Sequence, residues 1–126
     1  MTATMTTGKT SVRNISPREF IRMKNKPLLI DVRSGLEYRS GHAPMAKNLS
    51  LPSLMFGSLP FLRSLLRPQW FRDLPKDRAI AVVCLTSHRS PLAAQQLAKE
   101  GFQKVFNISG GMANWQKLGL DIETGK

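Results

Sequence analysis

Short apolar runs alternating with helical patterns predict an α/β protein, with a mostly parallel central sheet and helices layered on it. Two observations carry that prediction. Ile80–Val83 is short, continuous and β-branched, as buried strands are, and Leu28–Val32 and Val105–Ile108 read as two further strands. Helix patterns accompany them, and Gly101 and Gly119 end two of those patterns.

Taken in order, residues 1–13 are Thr-rich and lack acidic side chains. They read as a flexible basic tail, with a faint compositional likeness to an organelle transit peptide. Ser16-Pro-Arg-Glu19 is a capping-box pattern opening a short helix with Phe20, Ile21 and Met23. Leu28–Val32 is a buried strand, Gly35–Ser40 a turn or short helix, and Lys47–Leu51 another short strand. Ile80–Val83 is the next strand, and a helix runs from Pro91, with Ser90 as its N-cap, to Gly101. Val105–Ile108 is a further strand, and Met112–Leu118 a final helix closed by Gly119. No internal repeat is visible, so residues 14–126 are expected to form a single domain.

Residues 51–75 stand apart. Leu54, Phe56, Leu59, Phe61, Leu62, Leu65, Leu66, Trp70 and Phe71 are too many apolar side chains for a plain connector. Pro52, Pro60, Pro68 and Pro75 cut the segment into short pieces. It reads as a pair of helices covering one face of the sheet and supplying core. Alternatively, an apolar face bordered by Arg63, Arg67 and Arg72 touches a membrane surface or docks a partner, which requires Leu66 and Trp70 not to be fully buried.

A chain of 126 residues with 41% hydrophobic and 21% charged residues suits one globular core. The single cysteine excludes an intramolecular disulfide and a Cys-rich zinc site, and suits a reducing compartment. No run approaches roughly 18 uninterrupted apolar residues, so no transmembrane segment is expected. No secretory signal is visible either, and the expected location is the cytoplasm. The net charge is +11, but the basic residues are dispersed and no aromatics interleave with them as stacking platforms would. Nucleic-acid binding is therefore not expected, and the charge reads as a surface that steers small anions or an acidic partner.

The chemistry-bearing segment is Cys84-Leu-Thr-Ser-His-Arg89, between a strand and a helix. An isolated cysteine is by default a small, inert, buried hydrophobe. Here a tight loop points successive backbone N–H groups inward, and the helix N-terminus adds its positive dipole end. A thiolate is stabilised in such a place, which lowers its pKa below the free value of ~8.5. Arg89, on the rim, is expected to pair with an incoming anion in bidentate fashion. His88 either tunes the local field or is an ordinary loop residue. Gly110 and Gly111 suit a tight backbone path near this loop, and Trp115 reads as core.

The loop resembles the active-site loop of the rhodanese (sulfurtransferase) family: Cys, four residues, Arg, Ser. Residues 28–48, LLIDVRSGLEYRSGHAPMAKN, resemble the family's N-terminal signature, and residues 105–122, VFNISGGMANWQKLGLDI, its C-terminal signature. The resemblance spans most of residues 15–122. It implies a three-layer fold, a mostly parallel sheet with helices on both faces. It also implies that Asp31 and Arg33 stabilise the active-site edge; Glu37 and His42 are assigned structural roles. The family loop often has Gly where this chain has Ser87, and a basic residue where it has Leu85. Both departures bear on the use of thiosulfate.

The implied activity is sulfur transfer with Cys84 and Arg89 as catalytic residues and Leu85, Thr86, Ser87 and His88 around the substrate. A small anionic donor such as thiosulfate gives its outer sulfur to Cys84, and the persulfide passes it to cyanide, a thiol or a protein cysteine. No metal or organic cofactor is required. Three other activities compete with it. One is a relay carrier acting with a partner protein, another a non-catalytic binding module. The third is a phosphatase or arsenate reductase, whose loop is associated with one more residue before the arginine. The oligomeric state is not fixed by the sequence.

Overall fold

The computed structural model describes residues 4–7 and 10–126, with side chains from Val12 onward. In chain order the first half holds β1 (Thr4–Thr7), β2 (Thr10–Ile15), α1 (Pro17–Arg22), β3 (Leu28–Asp31), α2 (Gly35–Ser40) and β4 (Lys47–Asn48). Then come α3 (Leu51–Phe56), α4 (Arg63–Leu66), α5 (Gln69–Arg72), β5 (Ile80–Val83), α6 (Ser90–Lys99), β6 (Val105–Ile108) and α7 (Gly111–Lys117). The sheet order is β1-β2-β6-β5-β3-β4. β2, β6, β5, β3 and β4 run parallel, and β1 pairs antiparallel with β2 at one edge.

Because strand side chains alternate in direction, each central strand feeds two cores. Ile30, Ile80, Val82 and Val105 pack with Leu54, Phe71, Ala93 and Leu97, under α3, α5 and α6. Leu29, Ala81, Val83, Phe106 and Ile108 pack with Phe20, Tyr38, Met112 and Trp115, under α1, α2 and α7. Helices on both faces of a mostly parallel sheet make the expected three layers. Both faces being covered explains why the central strands are mainly apolar runs, continuous in β5, rather than alternating ones.

Local expectations hold at several points and shift at others. Ser16 caps α1 and Glu19 returns the bond, as the capping box requires. Gly35–Ser40 is helical, with a second capping box between Ser34 and Glu37. The strand expected over Lys47–Leu51 is only Lys47–Asn48. Leu51 N–H donates to Val32 O at 2.9 Å while Leu51 already opens α3, with Pro52 in its first turn. α6 begins at Ser90, so its N-cap is Arg89, and Ser90 is free for another task.

Of the expected tail, residues 1–3 and 8–9 lie outside the described residues, while Thr4–Thr7 and Thr10–Arg13 are in strands. Val12 pairs in register with Val105 and is fully buried, so the sheet begins upstream of residue 14. The threonines that read as polar tail are β-branched and suit a pleated strand.

Segment 51–75 forms three short helices, not two. Leu54 and Phe71 enter the core as expected, and Leu51, Met55, Trp70 and Leu74 pack partly against it. Phe56, Leu59, Phe61 and Leu65 do not: they are exposed.

At the end of β3, the buried Asp31 carboxylate receives Arg33 Nε at 3.0 and 3.1 Å and Nη2 at 2.7 Å. Arg33 Nη2 also donates to Gly41 O at 2.6 Å, tying the end of α2 to the strand. Asn48 Nδ2 donates to both Asp31 O and Arg33 O at 3.0 and 2.9 Å. A buried guanidinium stripped of its carboxylate carries an uncompensated charge. Asp31→Ala is therefore expected to lose about 3–5 kcal/mol of unfolding free energy, read by urea denaturation.

Candidate active site

Cys84 follows β5 directly, and its residue surface is 0% exposed. Burial of a thiol raises its pKa, and burial is the largest influence here. It is overcome, and the pKa lies below the ordinary value, because the Ser90 hydroxyl and the backbone N–H groups of Ser90, Arg89 and Ser87 are directed at Sγ. Ser90, freed from capping, adds a side-chain donor to the backbone groups of the loop.

Behind Ser90 runs a chain of polar groups, from the buried Asn107 to the half-buried Asn14. In the thiol state Sγ–H donates to Ser90 Oγ at 3.4 Å, and Ser90 Oγ donates to Asn107 Oδ1 at 2.5 Å. Asn107 Nδ2 then donates to Asn14 Oδ1 at 2.9 Å. Ionising Cys84 reverses the first link, since a thiolate only accepts; Ser90 must then turn its single hydroxyl proton from Asn107 Oδ1 to the sulfur. Asn107, in the middle of β6, was not singled out from the sequence. Its signal is a polar residue inside an otherwise apolar strand, Val-Phe-Asn-Ile.

The loop holds its shape by two backbone devices. Ser87 takes a left-handed φ of +66°, a conformation that strains most residues and suits glycine. Its hydroxyl donates to Ile108 O at 3.1 Å, which helps fix it there. Gly111, at φ +61°, lies so close that a Cβ would meet Leu85 O and Cys84 O at 2.4 and 2.5 Å. That approach lets Met112 N–H and Ala113 N–H donate to Cys84 O and Leu85 O at 2.7 and 2.9 Å. The tight path expected of Gly110 and Gly111 is thus the first turn of α7 clamping the start of the loop. Trp115 is fully buried, as expected of core.

Arg89 is not a free rim cation. Its Nη1 and Nη2 donate to the two oxygens of Glu37 at 2.7 and 2.9 Å. The Arg89 guanidinium holds Glu37 down at about 2, and Glu37 in turn raises the pKa of Arg89. Because the Glu37 pKa is depressed, any stability from this pair is present above about 4.5 and is lost as pH falls toward about 2. Both side chains are 35% exposed, so solvent screens the pair. Glu37 therefore has a task beyond the structural one expected of it: it bridges α2 to the loop.

The remaining residues divide between mouth and scaffold. Thr86 Oγ1 and His88 Nδ1 are 2.7 Å apart and both residues are exposed. Leu85 is exposed on the loop, Leu92 at the start of α6, and Leu36 at the start of α2, next to Glu37. His42 stacks on Tyr38 with ring centroids 3.8 Å apart and places Nδ1 2.7 Å from Tyr38 O, a structural position away from the loop.

The chain is similar to known proteins in sequence and in fold. The family model for the rhodanese-like domain matches residues 16–118. The chain is 30% identical over 104 residues to the protein YqhL of Bacillus subtilis, covering 82% of this chain and 72% of that one. It is 32% identical over 95 residues to a sulfurtransferase of Allochromatium vinosum, covering 75% and 77% respectively. The solution structure of the polysulfide-sulfur transferase homodimer of Wolinella succinogenes is similar, with a TM-score of 0.64 and 25% identity. That match covers 88% of this chain and 77% of the other.

A hydrogen bond to a charged group contributes roughly 1.5–3 kcal/mol, and the thiolate is the reactive form. Ser90→Ala is expected to raise the thiolate titration midpoint, followed by ultraviolet absorbance, and to slow alkylation of Cys84 by iodoacetamide at neutral pH by at least ~10-fold. Asn107→Asp, which holds the Ser90 hydroxyl and adds a negative charge behind it, is expected to shift the midpoint the same way.

Proposed function

The chain belongs to the rhodanese-like domain family, and on that premise we propose that it is a sulfurtransferase working through a Cys84 persulfide. The observation that carries this reading is the buried Sγ ringed by the Ser90 hydroxyl and three backbone N–H groups, which lower its pKa against the effect of burial. With thiosulfate as donor, the Cys84 thiolate attacks the outer sulfur. The S–S bond breaks, sulfite leaves with the bonding pair, and the sulfur stays on Cys84. The terminal sulfur of the persulfide is anionic, and fixed donors around it stabilise it as an oxyanion hole stabilises oxygen. An acceptor nucleophile (cyanide, a thiol or a protein cysteine) then takes that sulfur and returns the thiolate. The two half-reactions are separate, as in other covalent catalysis. With no second cysteine in the chain, discharge goes to an outside acceptor.

Arg89 acts in this scheme as a neutralised rim: its guanidinium is committed to Glu37. An anionic donor meets an ion pair there, not a free cation. Leu36, Leu85 and Leu92, which are 71%, 43% and 51% exposed, add apolar surface near the mouth. Both features favour a relay, in which the sulfur is exchanged with a partner protein and thiosulfate is a poor donor. A phosphatase is disfavoured, since the arginine arrives one residue early and is already paired.

Intact-mass measurement after incubation with thiosulfate, or with a persulfide donor, is expected to show a gain of one sulfur atom on the native chain and none on Cys84→Ser. No gain from either donor overturns the reading in favour of a binding module. Glu37→Gln frees the Arg89 guanidinium. It is expected to lower KM for thiosulfate roughly 5-fold, the value of about 1 kcal/mol from one exposed charge, in steady-state assays.

A further inference from the structure

The arm from the end of α3 to α4 carries side chains the sulfur chemistry does not use. Phe56, Leu59, Phe61 and Leu65 are 59%, 42%, 79% and 76% exposed. Exposed apolar residues scattered singly are ordinary, but four on one short arm form a patch. Pro60 and the turns around it interrupt the helical path, and these side chains are left outside the core that takes Leu54 and Phe71.

Next to the patch is a cavity of about 380 Å³ whose polar lining is Ser58, Arg63, Arg67, Arg72, Lys76 and Glu100. Arg67 is spent: its Nη1 and Nη2 reach the Glu100 carboxylate at 2.8 and 2.7 Å, and its Nη2 also reaches Leu54 O. Arg63, Arg72 and Lys76 are in no ion pair among the described residues. Lys76 Nζ sits 4.3 Å from the centroid of the Phe102 ring, and Arg72 Nε donates to Arg67 O. One carboxylate thus faces four cations. Ser58 and Arg63 belong to the arm itself, so cavity and patch are one continuous surface. The sequence holds no Asp or Glu between Glu37 and Asp73.

We propose that this surface seats the protein on an anionic phospholipid bilayer. The cavity receives a headgroup phosphate, and Phe56, Leu59, Phe61 and Leu65 enter the boundary between headgroups and acyl chains. Guanidinium and ammonium groups bind phosphate oxygens through charge-assisted hydrogen bonds. A lipid surface sets a phosphate directly over hydrocarbon, which is the pairing this surface offers in complement. None of the four exposed apolar side chains lines the cavity. They lie on the same arm as Ser58 and Arg63 of the cavity, and so border the charged hollow without lining it, as contact with an apolar phase beside a phosphate requires. α6 runs from Ser90, beside Cys84, to Lys99, next to Glu100 in the cavity. Its ten residues place the lipid surface about 15 Å of helix from the sulfur, so a seated protein keeps the Cys84 mouth away from the bilayer.

The test is co-sedimentation with vesicles of phosphatidylcholine, alone or with one third phosphatidylglycerol, using the native chain and three variants. The expected result is binding at least 10-fold tighter with phosphatidylglycerol. Phe61→Ser/Leu65→Ser, which leaves the charge untouched, and Arg63→Glu are each expected to lose about 10-fold. Lys117→Glu, an equal charge change at an exposed position of α7 across the sheet, is expected to stay within 2-fold, and all variants to keep the native sulfur uptake. Absent binding to the anionic vesicles overturns the proposal, as does native-like binding by Phe61→Ser/Leu65→Ser. Equal losses in Arg63→Glu and Lys117→Glu reduce the effect to net charge and overturn it too. Binding to polyglutamate without binding to vesicles assigns the surface to an acidic protein instead.

Discussion

Cys84 Sγ has none of its surface exposed, and a buried thiol ionises only where donors already point at it. Much of the architecture at the carboxyl end of β5 follows from that requirement. The loop must turn its N–H groups inward, which puts Ser87 into a left-handed conformation. It must also be held down, which brings α7 against the Cys84 and Leu85 carbonyls and leaves room only for a glycine at position 111. Ser90 must face the sulfur, so the cap of α6 passes to Arg89. The hydroxyl then needs a partner in a dry layer, which accounts for Asn107 inside β6 and Asn14 beside it in β2.

The two ends of α6 serve different electrostatics. Around its start, one cation is matched to one carboxylate, Arg89 to Glu37, and the anionic character is reserved for the sulfur. Around its end, Arg67 answers Glu100 while three further cations remain out of ion pairs among the described residues. The net charge of +11 is therefore not spread evenly in its effect. Beside the apolar arm, four cations of the cavity share one carboxylate, Glu100.

The fold was largely legible in the sequence because its strands are buried on both faces. Full burial leaves an unambiguous apolar run, and each run sits close to a capping or glycine signal. Ser16-Pro-Arg-Glu19 and Gly119 mark helix ends by local chemistry alone. The strands β1 and β2 were missed for the opposite reason. Their pairing is decided by the neighbouring strand, and neither the Thr-rich β1 nor the mixed Thr-Ser-Val-Arg-Asn-Ile of β2 carries a continuous hydrophobic signal. Lys47–Leu51 shows the same limit: two residues of pairing and one turn of helix look alike in five letters.

By itself the sequence determined the layer architecture, the position of Cys84 between strand and helix, and the need for Gly110 and Gly111 near it. These follow from short-range propensities and spacing, which act along the chain. Tertiary structure alone decided that Arg89 is bound to Glu37, fifty-two positions away, and that Asn107 backs Ser90. It also decided that Phe56, Leu59, Phe61 and Leu65 stay outside the core that admits Leu54 and Phe71. Ion pairing and burial depend on which surfaces the folded chain brings into contact, and that information is distributed over the whole sheet.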